Sequence, residues 1–295
     1  MGKQAVLTLQ RVICDLVHNS ACSRRKRLTP GAIWPSIRPP IQCGPQLRAT
    51  VVKPMQAICL WSGPRNVSTA LMYSFAQRSD TRVVNEPLYG HYLRISNAEH
   101  PGKDEVMRSM NCDGNAVMRE LLASAGTKPV LFMKHMAHHL VEIDRKFLSE
   151  TANVFLIRDP REMLPSLTIQ LPDASLADTG LAVQSALLAE LQDSGADPAV
   201  IDSRQLLLDP EGVLMALCEH LGIGFETRML SWPKGPIAED GVWARHWYHS
   251  VHKSTGFSPY VAKNDFPQEL TGLLEVCTPH YKQLFSHAIR ARTGA

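Results

Sequence analysis

Apolar residues gather in short unbroken runs separated by longer stretches of mixed character. The runs are 56–61 (QAICLW), 130–134 (VLFMK), 153–157 (NVFLI) and 199–202 (AVID), with a shorter strand pattern at 82–85. Runs of this length without alternation mark strands buried on both faces. Between them, apolar positions return at helical spacing over 69–78, 104–123, 161–169, 179–194 and 210–221. Strands alternating with helices predict an α/β protein whose central, mostly parallel sheet is flanked by helices. Pro and Arg punctuate 28–54, which reads as a linker, so the globular domain is expected at 54–290.

Three of the predicted strands end in polar residues. Residues 62–69 (SGPRNVST) follow the first, Lys134 and His135 close the second, and Arg158 and Asp159 follow the third. In open α/β sheets the carboxyl ends of the strands border the ligand crevice, so these three ends are expected to converge.

The segment Ser62, Gly63, Pro64, Arg65, Asn66, Val67, Ser68, Thr69 leaves a buried strand and opens a helix, with Ser68 as the expected N-cap. A strand, tight turn and helix aim bare backbone N–H groups at an anion. Ser68 and Thr69 add hydroxyls and Arg65 a positive charge. Read structurally, the same residues make a plain strand-to-helix turn with a capping serine. The segment is not GxxxxGK[ST], which disfavours a P-loop kinase-like phosphotransferase. The second element, 157–166 (IRDPREMLPS), places Arg158 at a strand tip and Ser166 eight residues on. Its bland reading is an Asp-Pro helix start with surface arginines.

Together these segments resemble the sulfotransferase superfamily, and in particular bacterial and plant sulfotransferase-like proteins. Residues 62–69 look like the 5′-phosphosulfate loop in a Pro-Arg-x-x-[ST]-[ST] form, with Arg65 where many members have Lys. Arg158 and Ser166 are similar to the pair that holds the 3′-phosphate of 3′-phosphoadenosine 5′-phosphosulfate (PAPS). Residues 199–223 look like the family's late strand-and-helix segment. Lys234 and Gly235, followed by 240–243 (DGVW), are loosely similar to the loop that closes over the 3′-phosphate, with Asp and Gly in reversed order. The resemblance covers about 55–285. It implies a P-loop NTPase-like three-layer fold and PAPS as co-substrate, with adenosine 3′,5′-bisphosphate (PAP) as product and no metal. Some plant relatives are fused to aminotransferase-like domains, and no second domain of that kind fits here.

The implied reaction moves a sulfuryl group to a hydroxyl or amine of a small-molecule or carbohydrate acceptor. Positioning and positive charge do most of such work. Arg65 is the candidate cation at the bridging oxygen and Lys134 the second. An acceptor that loses a proton calls for a general base. Glu86, within 85–87 (NEP), matches members with a catalytic Glu. His135, in the cluster His135, His138, His139, competes, although a Lys-x-His pattern would place it one residue later. Those histidines also fit ordinary core or surface roles on a helix face, and HxxHH without a third ligand is a weak metal pattern. Trp243, Trp247, Tyr248 and nearby His246, His249 and His252, followed by 254–257 (STGF), line a pocket or lid, or else the core.

Charge changes the picture in one place. Of 31 basic and 28 acidic residues, positions 1–53 hold nine Lys or Arg and a single acid, Asp15. The remainder is net −5, which removes the support for nucleic-acid binding. The leader itself is Arg-rich and acid-poor, with Val6, Leu9, Val12, Ile13, Leu16 and Val17 at helical spacing. This is the composition of an organelle transit peptide, and the resemblance to plant proteins puts chloroplast ahead of mitochondrion; the alternatives are a disordered basic tail or a nuclear signal, with the protein in the cytoplasm. No run reaches the ~18 apolar residues of a membrane span. Seven scattered cysteines without a CxxC pair read as free thiols. A catalytically silent PAPS- or PAP-binding protein predicts the same phosphate residues as an enzyme does.

Overall fold

The structure is a computed structural model that describes residues 55–124, 128–262 and 265–292. The leader and its transit-peptide reading lie outside the described residues.

Six strands form one sheet: β1 Gln56–Ser62, β2 Thr81–Asn85, β3 Val130–Met136, β4 Ala152–Ile157, β5 Ala199–Asp202 and β6 Ala288–Ile289. Their order is β2-β3-β1-β4-β5-β6, and all five pairings are parallel. β1 lies between β3 and β4, so the chain leaves it in one direction for β2 and β3 and later returns on its other side. That is a topological switch point, and the crevice beyond the strand ends there is where such sheets hold ligands.

The side-chain period of two divides the core. Ile58, Leu60, Phe132, Val154, Leu156 and Ile201 face one layer. Ala57, Trp61, Met133, Phe155, Ile157 and Val200 face the other. Helices cover both faces, which explains why each strand is apolar without alternation. The three-layer α/β expectation therefore holds.

The helices are α1 Ser68–Ala76, α2 Tyr89–Ser96, α3 Lys103–Ser109, α4 Gly114–Ala123, α5 Pro160–Leu167, α6 Leu176–Thr179, α7 Leu181–Asp193, α8 Ser203–Leu208, α9 Pro210–His220, α10 Ala244–Trp247 and α11 Thr271–Ser286. The single helical stretch expected over 104–123 is two helices. Met110 is extended, and the Asp113 carboxylate caps α4 by accepting from the Ala116 N–H, so the chain restarts there. The helix expected over 179–194 is α7, set off from the single turn of α6 by Gly180 at φ 73°. Among the described residues no helix is long and apolar enough to cross a membrane.

Candidate active site

A cleft of about 520 Å³ opens at the carboxyl ends of the strands. One half is walled by the loop after β1 and by the start of α5. Pro64, Arg65, Asn66, Val67, Ser68 and Thr69 line it, as do Arg158 and Ser166. Two elements about a hundred residues apart in sequence thus form one wall.

The loop is wound tightly. Arg65 (φ 58°) and Val67 (φ 61°) both take the left-handed conformation that side chains rarely adopt. Val67, not Ser68, is the N-cap of α1, and no side chain caps the helix. Ser68 stands inside the first turn instead. A capping side chain would satisfy the N–H groups that an anion is otherwise free to take. The base of the loop is pinned from below: Asn66 Nδ2 donates to the Leu156 carbonyl (2.7 Å), and Ser203 Oγ donates to the Asn66 carbonyl (2.9 Å). Gly63 sits behind the loop rather than on this cleft. A Cβ there would stand 2.4 Å from the Thr179 carbonyl oxygen, so close packing requires the glycine.

Arg65 Nε donates to Ser166 Oγ (2.9 Å), and Arg158 Nη1 donates to the Arg65 carbonyl (2.8 Å). Burial and then the Arg158 charge lower the pKa of Arg65 from its ordinary value. Arg158 pairs with Glu162 (3.4 Å), yet its Nε is buried with no hydrogen-bond partner. Two guanidiniums side by side with an unused buried donor make a site for a polyanion.

The other half is built on β2, β3 and the segment around α10. Lys134 Nζ lies 2.5 Å from Glu86 Oε1 and 3.2 Å from the Tyr248 hydroxyl, which it shares with Trp243 Nε1 at 3.3 Å. The Tyr248 hydroxyl donates to Asn85 Oδ1 (3.0 Å). Burial alone would lower the Lys134 pKa; the Glu86 carboxylate and Tyr248 outweigh it and raise it, so Lys134 is a cation. Glu86 is buried yet on the cleft wall, in the left-handed conformation at φ 46°. Non-glycine strain of this kind is held by surrounding structure and clusters at functional sites.

Beyond Glu86 the wall is aromatic and imidazole-rich. The His139 ring stacks on Tyr89 (centroids 4.9 Å apart) and on Tyr92 (4.6 Å), and His138 meets Tyr92 edge-on. The Tyr89 hydroxyl bonds His100 Nδ1 at 2.9 Å. Burial pushes His138 down to about 4 and His139 well below its ordinary value, so both are neutral imidazoles.

A family model of the sulfotransferase domain matches residues 55–288. The chain belongs to the sulfotransferase family. It is 41% identical over 235 residues to branched-chain-amino-acid aminotransferase-like protein 2 of Arabidopsis thaliana and 42% identical over 234 residues to protein 1 of that name. These alignments cover 79% of this chain, and the chain spans 42% of the length of either relative. The crystal structure of a sulfotransferase from Alicyclobacillus acidocaldarius superposes with a TM-score of 0.50 at 12% identity, over 79% of this chain and 97% of that one. The likeness is one of fold, the P-loop NTPase-like arrangement of a parallel sheet between helical layers.

Three residue assignments carried over from the sulfotransferase pattern need correction. His135 is not on the cleft. It follows Lys134 on β3, so the strand's period of two turns it to the opposite face, where it is fully buried and stacks on Trp61 at 4.5 Å. The helix face expected for the HxxHH run does not exist, since His135 lies within strand β3 and 137–139 is a single 3₁₀ turn. Lys234 is exposed and neither it nor Gly235 lines the cleft; the Gly235 N–H donates to the His252 carbonyl (3.0 Å), holding a surface turn. The cleft is instead covered by Ser254, Gly256, Phe257 and Ser258. That segment is fixed by an antiparallel bridge from Ser231 to Gly256, and farther along the Tyr260 hydroxyl donates to Glu162 Oε1 (2.6 Å). The run STGF was readable in the sequence; the bridge that places it was not. Tyr248 and Asp178 also reach the cleft, and only Tyr248 was singled out from sequence, as part of an aromatic stretch. Among the described residues no group of three or more His, Cys, Asp or Glu is placed to hold a metal ion.

Proposed function

We propose that this protein transfers a sulfuryl group from PAPS to a hydroxyl of a small-molecule acceptor and releases PAP. One observation carries the proposal: Arg65 and Arg158 face the same end of the cleft, with Arg158 Nε buried and unpartnered, at the mouth of an uncapped helix. That arrangement fits a ligand with two separated phosphate groups better than a monophosphate.

When bound, PAPS supplies the activated sulfuryl group. The N–H groups at the start of α1, with Ser68 and Thr69, hold the 5′ end, and Arg158 and Ser166 the 3′-phosphate. Arg65 stands where negative charge grows on the departing phosphate oxygen. Glu86 accepts the proton of the acceptor hydroxyl as its oxygen bonds to sulfur and the sulfur–oxygen bond to the nucleotide breaks. Lys134 holds one carboxylate oxygen of Glu86, which leaves the other for the acceptor. The proton, the sulfuryl group and the leaving PAP are then all accounted for without another reactant.

The test is calorimetric titration of the protein with PAP, AMP and magnesium-ATP. Micromolar PAP binding that is independent of magnesium, with AMP much weaker, is the expected result. A preference for magnesium-ATP overturns the proposal in favour of a kinase-like protein. PAP binding without PAP release from PAPS, across a broad panel of alcohols and amines, points to the catalytically silent relative.

A further inference from the structure

We infer that the acceptor half of the cleft takes a hydroxyl compound bearing a positively charged ammonium group and turns away anionic acceptors. The inference rests on the sulfotransferase reading and adds the substrate class.

The charges of the cleft are sorted by half. Arg65 and Arg158 stand on the nucleotide side. On the acceptor side are Glu86 and Asp178, with Lys134 as the single buried cation, and its Nζ is already engaged by Glu86, Asn85 and Tyr248. Glu99 is at the rim and pairs with Lys103 at 2.9 Å. Asp178 has no ion-pair partner among the described residues. Its Oδ2 accepts from the Ser175 N–H (2.8 Å) and Oγ (2.6 Å), an arrangement that fixes the side chain, while Oδ1 makes no hydrogen bond among the described residues. One carboxylate is therefore held ready and uncompensated.

Two further observations point at a ligand rather than at a solvated acid. His139 is 1% exposed and lines the cleft with its Nδ1 buried and unpartnered, and the Nδ1 of His138 is in the same state. Buried polar atoms without partners are rare, and each needs an explanation. The imidazoles also fail to supply the missing charge. Burial lowers His100, His138 and His139, although Glu86 and Asp178 raise the first two. The acceptor side thus carries Glu86, Asp178 and one lysine, a net of one negative charge within aromatic walls that include Tyr92, Trp243 and Trp247. In such low-dielectric surroundings an unmatched charge is strongly felt. A donor-rich cation relieves Asp178 and gives the free imidazole nitrogens a hydrogen to bond, whereas a carboxylate or phosphate there meets two like charges.

The experiment uses the whole protein saturated with PAP. The ammonium alcohol 3-aminopropan-1-ol, its neutral isostere butan-1-ol and the anion 3-hydroxybutanoate are titrated by calorimetry, and each is then offered as acceptor with PAPS. The ammonium alcohol is expected to bind at least tenfold more tightly than the isostere, with the anion weakest, and Asp178→Asn is expected to bring the ratio of the first two near one while PAP affinity holds. Asparagine can keep the Ser175 contacts, and retained PAP binding shows that the variant is folded. Equal binding of the ammonium alcohol and the isostere, tighter binding of the anion, or no binding of any of the three overturns the inference and leaves the nucleotide site standing. Failure to bind PAP at all brings down the sulfotransferase reading as well.

Discussion

Lys134 and Glu86 form a buried ion pair across neighbouring strand ends, with Nζ 2.5 Å from Oε1 and both side chains nearly sealed from solvent. The backbones are tied as well, since the Glu86 N–H donates to the Lys134 carbonyl at 2.7 Å. The pair sits on the cleft wall, so it has both a chemical and a structural consequence. Glu86→Gln removes the proton acceptor and keeps the side chain's volume. Turnover of PAPS is expected to fall at least a hundredfold, with PAP affinity unchanged within about twofold. Unchanged turnover in a steady-state assay removes Glu86 as the base.

Lys134→Met has a different signature. It leaves the Glu86 carboxylate buried without its partner, and breaking a buried pair in this way costs about 3–5 kcal/mol. Urea denaturation of the variant is expected to show that loss, and the double variant Lys134→Met with Glu86→Gln should recover part of it. No recovery means that packing, not the pair, sets the cost.

Arg158→Ala tests the phosphate assignment. It removes the free Nε donor and the Nη1 contact to the Arg65 carbonyl. PAP binding is expected to weaken by roughly 2–4 kcal/mol, and AMP binding by little, because only PAP carries a 3′-phosphate. Calorimetry with both ligands decides it: equal losses mean that Arg158 does not meet the 3′-phosphate.

The sheet and the phosphate wall were legible because they rest on local signals. Unbroken runs such as 153–157 announce strands buried on both faces, and a segment such as 62–69 announces a strand-to-helix turn, although the capping role expected of Ser68 falls to Val67, which has no capping side chain. Glu86 and Lys134 were each singled out, but their pairing depends on β2 lying beside β3, a register that links residues 48 apart in sequence. His135 was misplaced although its neighbour was not. Alternation from Lys134 already turns it away from the cleft, and that signal was outweighed by the attraction of a histidine beside a lysine. Helix α2 was missed because its eight residues are too few and too polar to show a helical period, yet it brings Tyr89 and Tyr92 to the cleft. The capping pattern at Ser175 and Asp178 was readable as a helix start, but nothing local says that the acid also lines the cleft.

Acid should destabilise the fold through the three histidines after β3. Burial holds the folded pKa of His135 at about 3 and His138 at about 4, and puts His139 well below the ordinary 6.5. Below 6.5 the unfolded chain binds protons that the folded one refuses, so the stability present above 6.5 is lost as pH falls toward 4. Between pH 7 and 5.5 the three sites together should cost roughly 3–4 kcal/mol. Asp202 works the other way. Burial raises it to about 6, so its contribution grows as pH falls from there toward the ordinary carboxylate range. Urea midpoints at several pH values should show the net loss, and His135→Phe, which keeps a ring against Trp61, should remove about one proton from the slope. A slope unchanged in that variant would mean that His135 is not held neutral.

Gly63→Ala probes the joint between the phosphate loop and the helix behind it. The new Cβ would stand 2.4 Å from the Thr179 carbonyl oxygen, a backbone atom that cannot swing aside. Thr179 leads into α7, from which Gln184 Nε2 reaches the carbonyls of Trp61 (2.9 Å) and Leu156 (3.0 Å) at the strand ends. Relief of the clash must therefore move either the loop or those contacts. A stability loss of roughly 1–3 kcal/mol is expected from overpacking, with weaker PAP binding because the loop shifts. Gly272→Ala is the matched control: it lies early in α11 with nothing within 4 Å of its Cβ, and an alanine in a helix gains up to about 1 kcal/mol. Opposite signs for the two substitutions in urea denaturation support the packing role of Gly63. Equal effects would mean that the loop yields freely, and its tight winding would then not be what presents the N–H groups of α1.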